Sequence, residues 1–364
     1  MRVKSSKRIT LLIDGKLRRE TLNVLHRARQ SFGLLVENKI DVVQSKTWAG
    51  LPAALFRKDA LLLTGSYSRT AGLISGLSKS IWCVDPEKTA HSQWNWFYAI
   101  NEIASNRNSD REHDHSKLRS LTERLASLGH GKCYVFGTGP SLASGLECDF
   151  SSGYRIICNT ICKAKGLFDH IQPHVIVAGD ALYHFGDTLH AVSFRRDLHQ
   201  RLKESDCAFL YPEVFRLRVE SEFSDVSDQC YPVAMSLDGI TPANNQVFQF
   251  SHRPNVLGSM LLPLACHLSK EIHLLGFDGK KPEDKLFWSN YSEVTYPGLI
   301  EIMADEYPAF FNHYVPPHDP QRYSRLAHGD LLESALNDAT RQGWRFQLLA
   351  PSVSSALSKL PVLA

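Results

Sequence analysis

No stretch of the chain reaches the ~18 consecutive apolar residues that a membrane-crossing helix needs. The charged first residues are not followed by the apolar core of a secretion signal. A cytoplasmic protein is the expectation. Cysteine never occurs as Cys-x-x-Cys: the eight residues are scattered, and Cys158 and Cys162 have no matching His or Cys pair nearby. That pattern argues against a zinc ribbon or a thioredoxin-type centre and fits buried free thiols in a reducing compartment. An excess of one charge is lacking too. A net +3 over 364 residues gives no argument for a nucleic-acid partner. There is no internal repeat and no low-complexity tract.

What is present reads as a globular α/β protein. With 43 % hydrophobic and 22 % charged residues, the chain has room for two domains with cores of their own. Residues 1–104 read as a small N-terminal α/β unit of unknown role. Its strand candidates are Ile9–Ile13, Ile40–Val43, Ala60–Leu63 and Ile81–Val84, with a helical pattern over Leu17–Phe32 and an amphipathic helix around Trp94–Tyr98. Residues 1–30 carry nine Lys or Arg against only Asp14 and Glu20. Such a basic face suits peripheral contact with the inner membrane or an acidic glycan, or is simply solvated. Residues 105–117 are polar throughout and read as a linker.

From 118 to 364 short apolar runs alternate with helical patterns. The strand candidates are Cys133–Phe136, Arg155–Cys158, Val175–Ala178, Ala208–Tyr211, Ile272–Leu275 and Phe346–Leu349; the helical segments include 187–203, 256–269 and 322–342. This alternation predicts a Rossmann-like, mostly parallel sheet with helices on both faces. Ligands bind such sheets beyond the carboxyl ends of the strands. Four strand ends carry suitable groups: Gly137-Thr138-Gly139-Pro140-Ser141, Asn159-Thr160, Gly179-Asp180 and Gly276-Phe277-Asp278-Gly279. The first is a turn able to bring backbone amides and the Ser141 hydroxyl close to a phosphate, although it lacks the third glycine of the dinucleotide fingerprint.

These motifs, in this order, resemble the bacterial sialyltransferases that build lipooligosaccharide. The resemblance runs through Gly137–Leu142, Cys158-Asn159, Lys270–Asp278 and Ala327-His328-Gly329 to a closing helix, strand and Pro-Ser segment, over about 132–357. Flagellin-modifying nonulosonate transferases and an archaeal-type 6-hydroxymethylpterin pyrophosphokinase share the glycine loop and the aspartate. The resemblance implies a GT-A-variant fold and a CMP-sugar donor. It implies that Gly137, Thr138, Gly139, Pro140, Ser141, Gly276 and Asp278 surround the nucleotide and that Asn159 binds the donor. Asp180 stands where the family has a second donor-binding asparagine. Arg253, Asn255 and Ser259 match the segment leading into the helix before the Gly-x-Asp strand. His328 matches the general base, and Tyr291 stands in for one of two tyrosines that steady the leaving phosphate, in a loop that also holds Lys280, Lys281 and Trp288.

That chemistry asks for cationic or N–H groups aimed at a departing phosphate and a base for the acceptor hydroxyl. His328 is the first candidate base, with His313 and His318 as rivals. Asp278 reads equally well as a turn cap. Asp180 and Asp278 together would suit Mg²⁺, but no Asp-x-Asp motif of metal-dependent glycosyltransferases is present, so no metal and no other cofactor are expected. The aromatic residues of 279–323 read as an acceptor platform or as core. The expectation is an inverting transferase moving a sialic-acid-like or Kdo-like sugar from CMP to a glycan or glycoprotein, with self-association open. The alternatives are a Mg²⁺-dependent pterin pyrophosphokinase and a non-catalytic nucleotide-binding protein of glycan assembly.

Overall fold

The computed structural model describes residues 9–13, 40–44, 60–64, 81–104, 107–236, 239–242, 248–280 and 292–363. The helical pattern at Leu17–Phe32, most of the basic N-terminal segment and the loop holding Lys281, Trp288 and Tyr291 lie outside the described residues.

Two parallel sheets carry the architecture. The first joins β1 (Ile9–Ile13), β2 (Ile40–Gln44), β3 (Ala60–Thr64) and β4 (Ile81–Cys83) in the order β2-β1-β3-β4. The second has seven strands: β5 (Lys132–Phe136), β6 (Gly153–Cys158), β7 (Val175–Val177), β8 (Ala208–Pro212), β9 (Cys230–Val233), β12 (Glu271–Leu275) and β13 (Arg345–Leu348). Two short strands, β10 (Met235–Ser236) and β11 (Phe250–Ser251), pair only with each other. The order of the large sheet is β13-β12-β5-β6-β7-β8-β9, parallel throughout. This is a Rossmann-like α/β fold. Its inner strands are buried nearly end to end, as a sheet covered on both faces requires.

The strand order places the connections. From β5 the chain steps one way through β6, β7 and β8, and later returns to lay β12 and then β13 on the opposite side of β5. Parallel crossovers are right-handed, so the two directions put their connecting helices on opposite faces. One set comprises α3 (Lys165–Ile171) and α4 (Leu189–Lys203); the other comprises α6 (Leu262–Leu268) and α10 (Asp330–Arg341), with α2 (Arg107–Ala126) packed on α6. Reversal of direction beside β5 creates a topological switch point between β5 and β12.

Three expectations need correction. The polar segment 105–117, expected as a linker, is helical from Arg107 onward and forms the first half of α2. Polarity alone cannot tell a loop from a solvent-facing helix, because Arg, Glu and Lys favour helix, and Leu118, Leu121 and Leu125 anchor the rest of α2 in the core. The segment 322–342 is two helices, α9 (Arg322–His328) and α10, broken at Gly329, where a Cβ would lie 2.3 Å from the Arg325 carbonyl. Finally, β9 was not anticipated because Pro232 weakens its strand pattern; at the sheet edge a proline is tolerated.

Candidate functional site

A cleft of about 860 Å³ opens beyond the carboxyl ends of the large sheet. Its walls bring together Gly137, Thr138 and Gly139 after β5, Asn159 after β6, Asp180 after β7, Arg253, Asn255 and Ser259 ahead of α6, Gly276 and Asp278 after β12, and His328. The predicted strand ends therefore converge. Pro140 and Ser141 are not in the wall; Tyr291 lies outside the described residues.

Three amides of the glycine loop, those of Gly137, Gly139 and Ser141, are bonded within the protein. The amide of Gly137 donates to Leu275 O at 2.8 Å and that of Gly139 to Gly276 O at 2.8 Å. Ser141 donates its amide to Asp278 Oδ1 at 3.0 Å and its hydroxyl to Asp278 Oδ2 at 2.9 Å, and that hydroxyl accepts from the Gly276 amide at 3.2 Å. Pro140 simply starts the 3₁₀ turn Pro140–Glu147. The glycines serve contact between the two loops. A Cβ on Gly137 would sit 2.4 Å from Gly276 O, one on Gly139 would sit 2.1 Å from Asp278 Oδ2, and one on Gly276, where φ is +79°, would sit 2.2 Å from Gly137 O. Ser141 and Asp278 are thus a clamp joining β5 to β12.

The next two strand ends are looser in their bonding. Asn159 is buried at φ +51°, a conformation that asparagine tolerates better than most residues, and its Oδ1 is buried with no hydrogen-bond partner. An uncommon backbone conformation and an unsatisfied acceptor thus coincide at one cleft residue. Asp180 caps the one-turn π-helix Ala181–Phe185. Its Oδ1 accepts the amides of Leu182 at 2.7 Å and Tyr183 at 2.8 Å, while Oδ2 accepts none among the described residues. Burial outweighs those two bonds and raises the Asp180 pKa to about 6. Nearby phenols feel its charge: Tyr314 and Tyr323 are pushed up by burial first and by Asp180 second.

Asn255 positions its neighbours. Its Oδ1 accepts the Gly258 amide at 2.7 Å, while its Nδ2 donates to the Ala327 carbonyl and faces His328 Nδ1 at 3.5 Å. The other one-turn π-helix, Leu257–Leu261, starts here and buries Ser259. Arg253 donates to Leu331 O at 2.9 Å and its buried Nε has no partner; burial lowers its pKa. His328 closes α9 rather than opening a helix, because Gly329 breaks the chain path there. Its carbonyl accepts from the Ala356 amide and the Ser355 hydroxyl, and burial lowers its imidazole pKa to about 4. The imidazole is therefore neutral at pH 7. Neither rival lines the cleft, and His313 packs against His91 and Tyr314.

One wall escaped the sequence reading. The helix α1 (Ser92–Ala104), assigned to the N-terminal unit, sends Trp94, Asn95, Tyr98 and Asn101 into the cleft. Spacing of three and four residues did signal a helical face, but nothing in the sequence said what it packs against. Of the aromatics expected as platform or core, Phe310 and Tyr314 line the cleft, whereas Tyr296 is buried and donates to Asp197 Oδ2 at 2.7 Å. Among the described residues no helix is long and apolar enough to cross a membrane.

The chain matches no protein-family profile, no curated protein and no solved structure.

Proposed function

We propose that the cleft belongs to an inverting, metal-independent glycosyltransferase of the GT-A-variant, sialyltransferase-like type. It takes a CMP-activated nonulosonate-like or Kdo-like acid sugar and transfers it to a hydroxyl of a glycan or glycoprotein. The observation that carries the reading is the meeting of Asn159, with its unpartnered buried acceptor, and His328 in one cleft at the switch point of a parallel sheet.

In such a transfer the acceptor oxygen bonds to the anomeric carbon as the bond to the phosphate oxygen breaks. The electron pair leaves with CMP, and the acceptor proton passes to a base. His328 supplies that base. Burial alone sets its low pKa; two anionic groups of a bound donor would raise it toward neutrality. Arg253 and Lys280 provide positive charge for the leaving phosphate. Asn159 holds the donor, and Ser141 with Asp278 keeps the rim in shape without touching it.

The competing reading is an ATP- and Mg²⁺-dependent pyrophosphokinase, favoured by the presence of both Asp180 and Asp278 in the wall. Thermal shift with CMP, CDP, UDP and ATP, each with and without Mg²⁺, separates the two. Stabilisation by CMP without metal supports the transferase; stabilisation only by ATP with Mg²⁺ reverses the ranking. With a donor found by screening CMP-sugars for product mass, His328→Ala lowers kcat by about a hundredfold or more and leaves the CMP shift intact. Unchanged turnover in that variant would remove His328 from the role.

A further inference from the structure

We infer that the cleft face of α1 is a binding site for an uncharged sugar, and, on the transferase reading above, that this sugar is the acceptor terminus. The cleft-lining positions here are Thr89, His91, Trp94, Asn95, Tyr98 and Asn101. From His91 onward they follow helical spacing, so one side of α1 faces the cleft. Its other side buries Trp96 and Phe97 in the core, with Phe97 edge-on to Phe215 at 4.9 Å.

The chemistry of this face is distinct from that of the sheet rim. It holds no Lys, Arg, Asp or Glu; it offers amides, an imidazole, two hydroxyls and aromatic rings. Tyr98 is 37 % exposed and stacks on Trp82 at 5.6 Å and 16° and on Trp94 at 6.0 Å and 29°. The exposed edge of this row of rings suits the C–H groups of a pyranose, and planar amides suit pairs of vicinal hydroxyls. Asn95 is held in place by donating to the Cys83 carbonyl, which leaves its oxygen for a ligand. Arg216, which also lines the cleft, is paired with Asp114.

The face is continuous with the candidate chemistry. His91 contacts Tyr314 edge-on at 6.2 Å, and Tyr314 in turn feels the Asp180 charge. A sugar bound along this face therefore reaches the rim of the sheet by way of His91 and Tyr314, where an acid sugar would be transferred. The helix is tied to that half by Gln93, whose amide donates to the Tyr307 hydroxyl at 2.8 Å across 214 residues of sequence.

The test is saturation-transfer NMR on the full chain with methyl β-lactoside, methyl N-acetyl-β-glucosaminide and methyl α-mannoside, against a sulfated disaccharide as the anionic control. At least one neutral glycoside should receive saturation. Tyr98→Ala and Asn101→Ala should each weaken it roughly three- to tenfold, with the CMP thermal shift unchanged. Tyr98→Leu, which keeps apolar bulk without the ring, should bind as poorly as Tyr98→Ala and guards against a folding defect. Binding by the sulfated sugar alone, neutral binding that survives both alanine variants, or loss of the CMP shift in Tyr98→Leu (a ring that holds the nucleobase) would overturn the assignment. The two readings also fail separately. CMP binding with no glycoside binding removes the α1 site and leaves the transferase; glycoside binding at α1 without any CMP effect does the reverse.

Discussion

At the junction of β5 and β12, the amides of Gly137, Gly139 and Ser141 and the carboxylate of Asp278 are bonded within the protein. At the neighbouring ends of β6 and β7, Asn159 Oδ1 has no partner and one oxygen of Asp180 accepts nothing among the described residues. The more conspicuous motif is the more committed one. Glycines in the first region let two backbones touch, and the touching consumes the N–H groups of Gly137, Gly139 and Ser141. On the proposed reading, ligand recognition falls to the second region, where the Asn159 acceptor has no partner. A glycine-rich strand-end loop is therefore ambiguous until its partner loop is known.

Substitution separates the two regions, and the largest effect belongs to the clamp. Gly276→Ala places a Cβ 2.2 Å from a backbone oxygen at a residue with φ +79°, so neither a rotamer change nor a side-chain shift relieves it. A loss of about 4 kcal/mol of stability is expected, read as a lower denaturation midpoint or as insoluble protein. Wild-type stability in this variant would mean that the loops can part, and the contrast would collapse. Asp278→Ala is milder: it leaves the Ser141 amide and hydroxyl without an acceptor and should cost about 2 kcal/mol. CMP affinity should change little once the variant is folded, and a large loss of affinity at unchanged stability would return Asp278 to the ligand.

Much of this arrangement could be read before the fold was known, and the gaps have physical causes. Buried parallel strands are apolar runs such as Ala208–Pro212, and their ends must share one edge, so the rim followed from order alone. The direction of each polar group did not follow. Ser141 and Asp278 are 137 residues apart, and their mutual bonds depend on β12 lying beside β5. The α1 wall was hidden for the same reason. Its helical face was legible, its destination was not.

The second region should respond in affinity rather than in stability. Asn159→Gly keeps a backbone that is at ease at φ +51° and deletes the unpartnered acceptor, so the folded state should be as stable as wild type within about 1 kcal/mol. Loss of one ligand hydrogen bond should weaken CMP about tenfold, measured by calorimetry. If stability falls and affinity holds, Asn159 belongs with the clamp.

The smallest effect is a pH-dependent one at Asp180. Its folded pKa is raised by burial from the ordinary carboxylate value to about 6. A raised value means that the folded chain holds the proton more tightly than the unfolded chain, so stability is lost as pH rises through 6 and the loss is absent below about 4. Asp180→Asn retains an oxygen to cap Leu182 and Tyr183 and removes the charge. Its melting temperature should therefore exceed that of wild type by a few degrees at pH 8, with the gap closing between pH 6 and pH 4. A gap that is the same at both ends would assign the difference to packing. A gap that opens on the acid side would mean that the carboxylate is stabilised in the cleft by a positive group, and Asp180 would then resemble Asp278, an acceptor already satisfied.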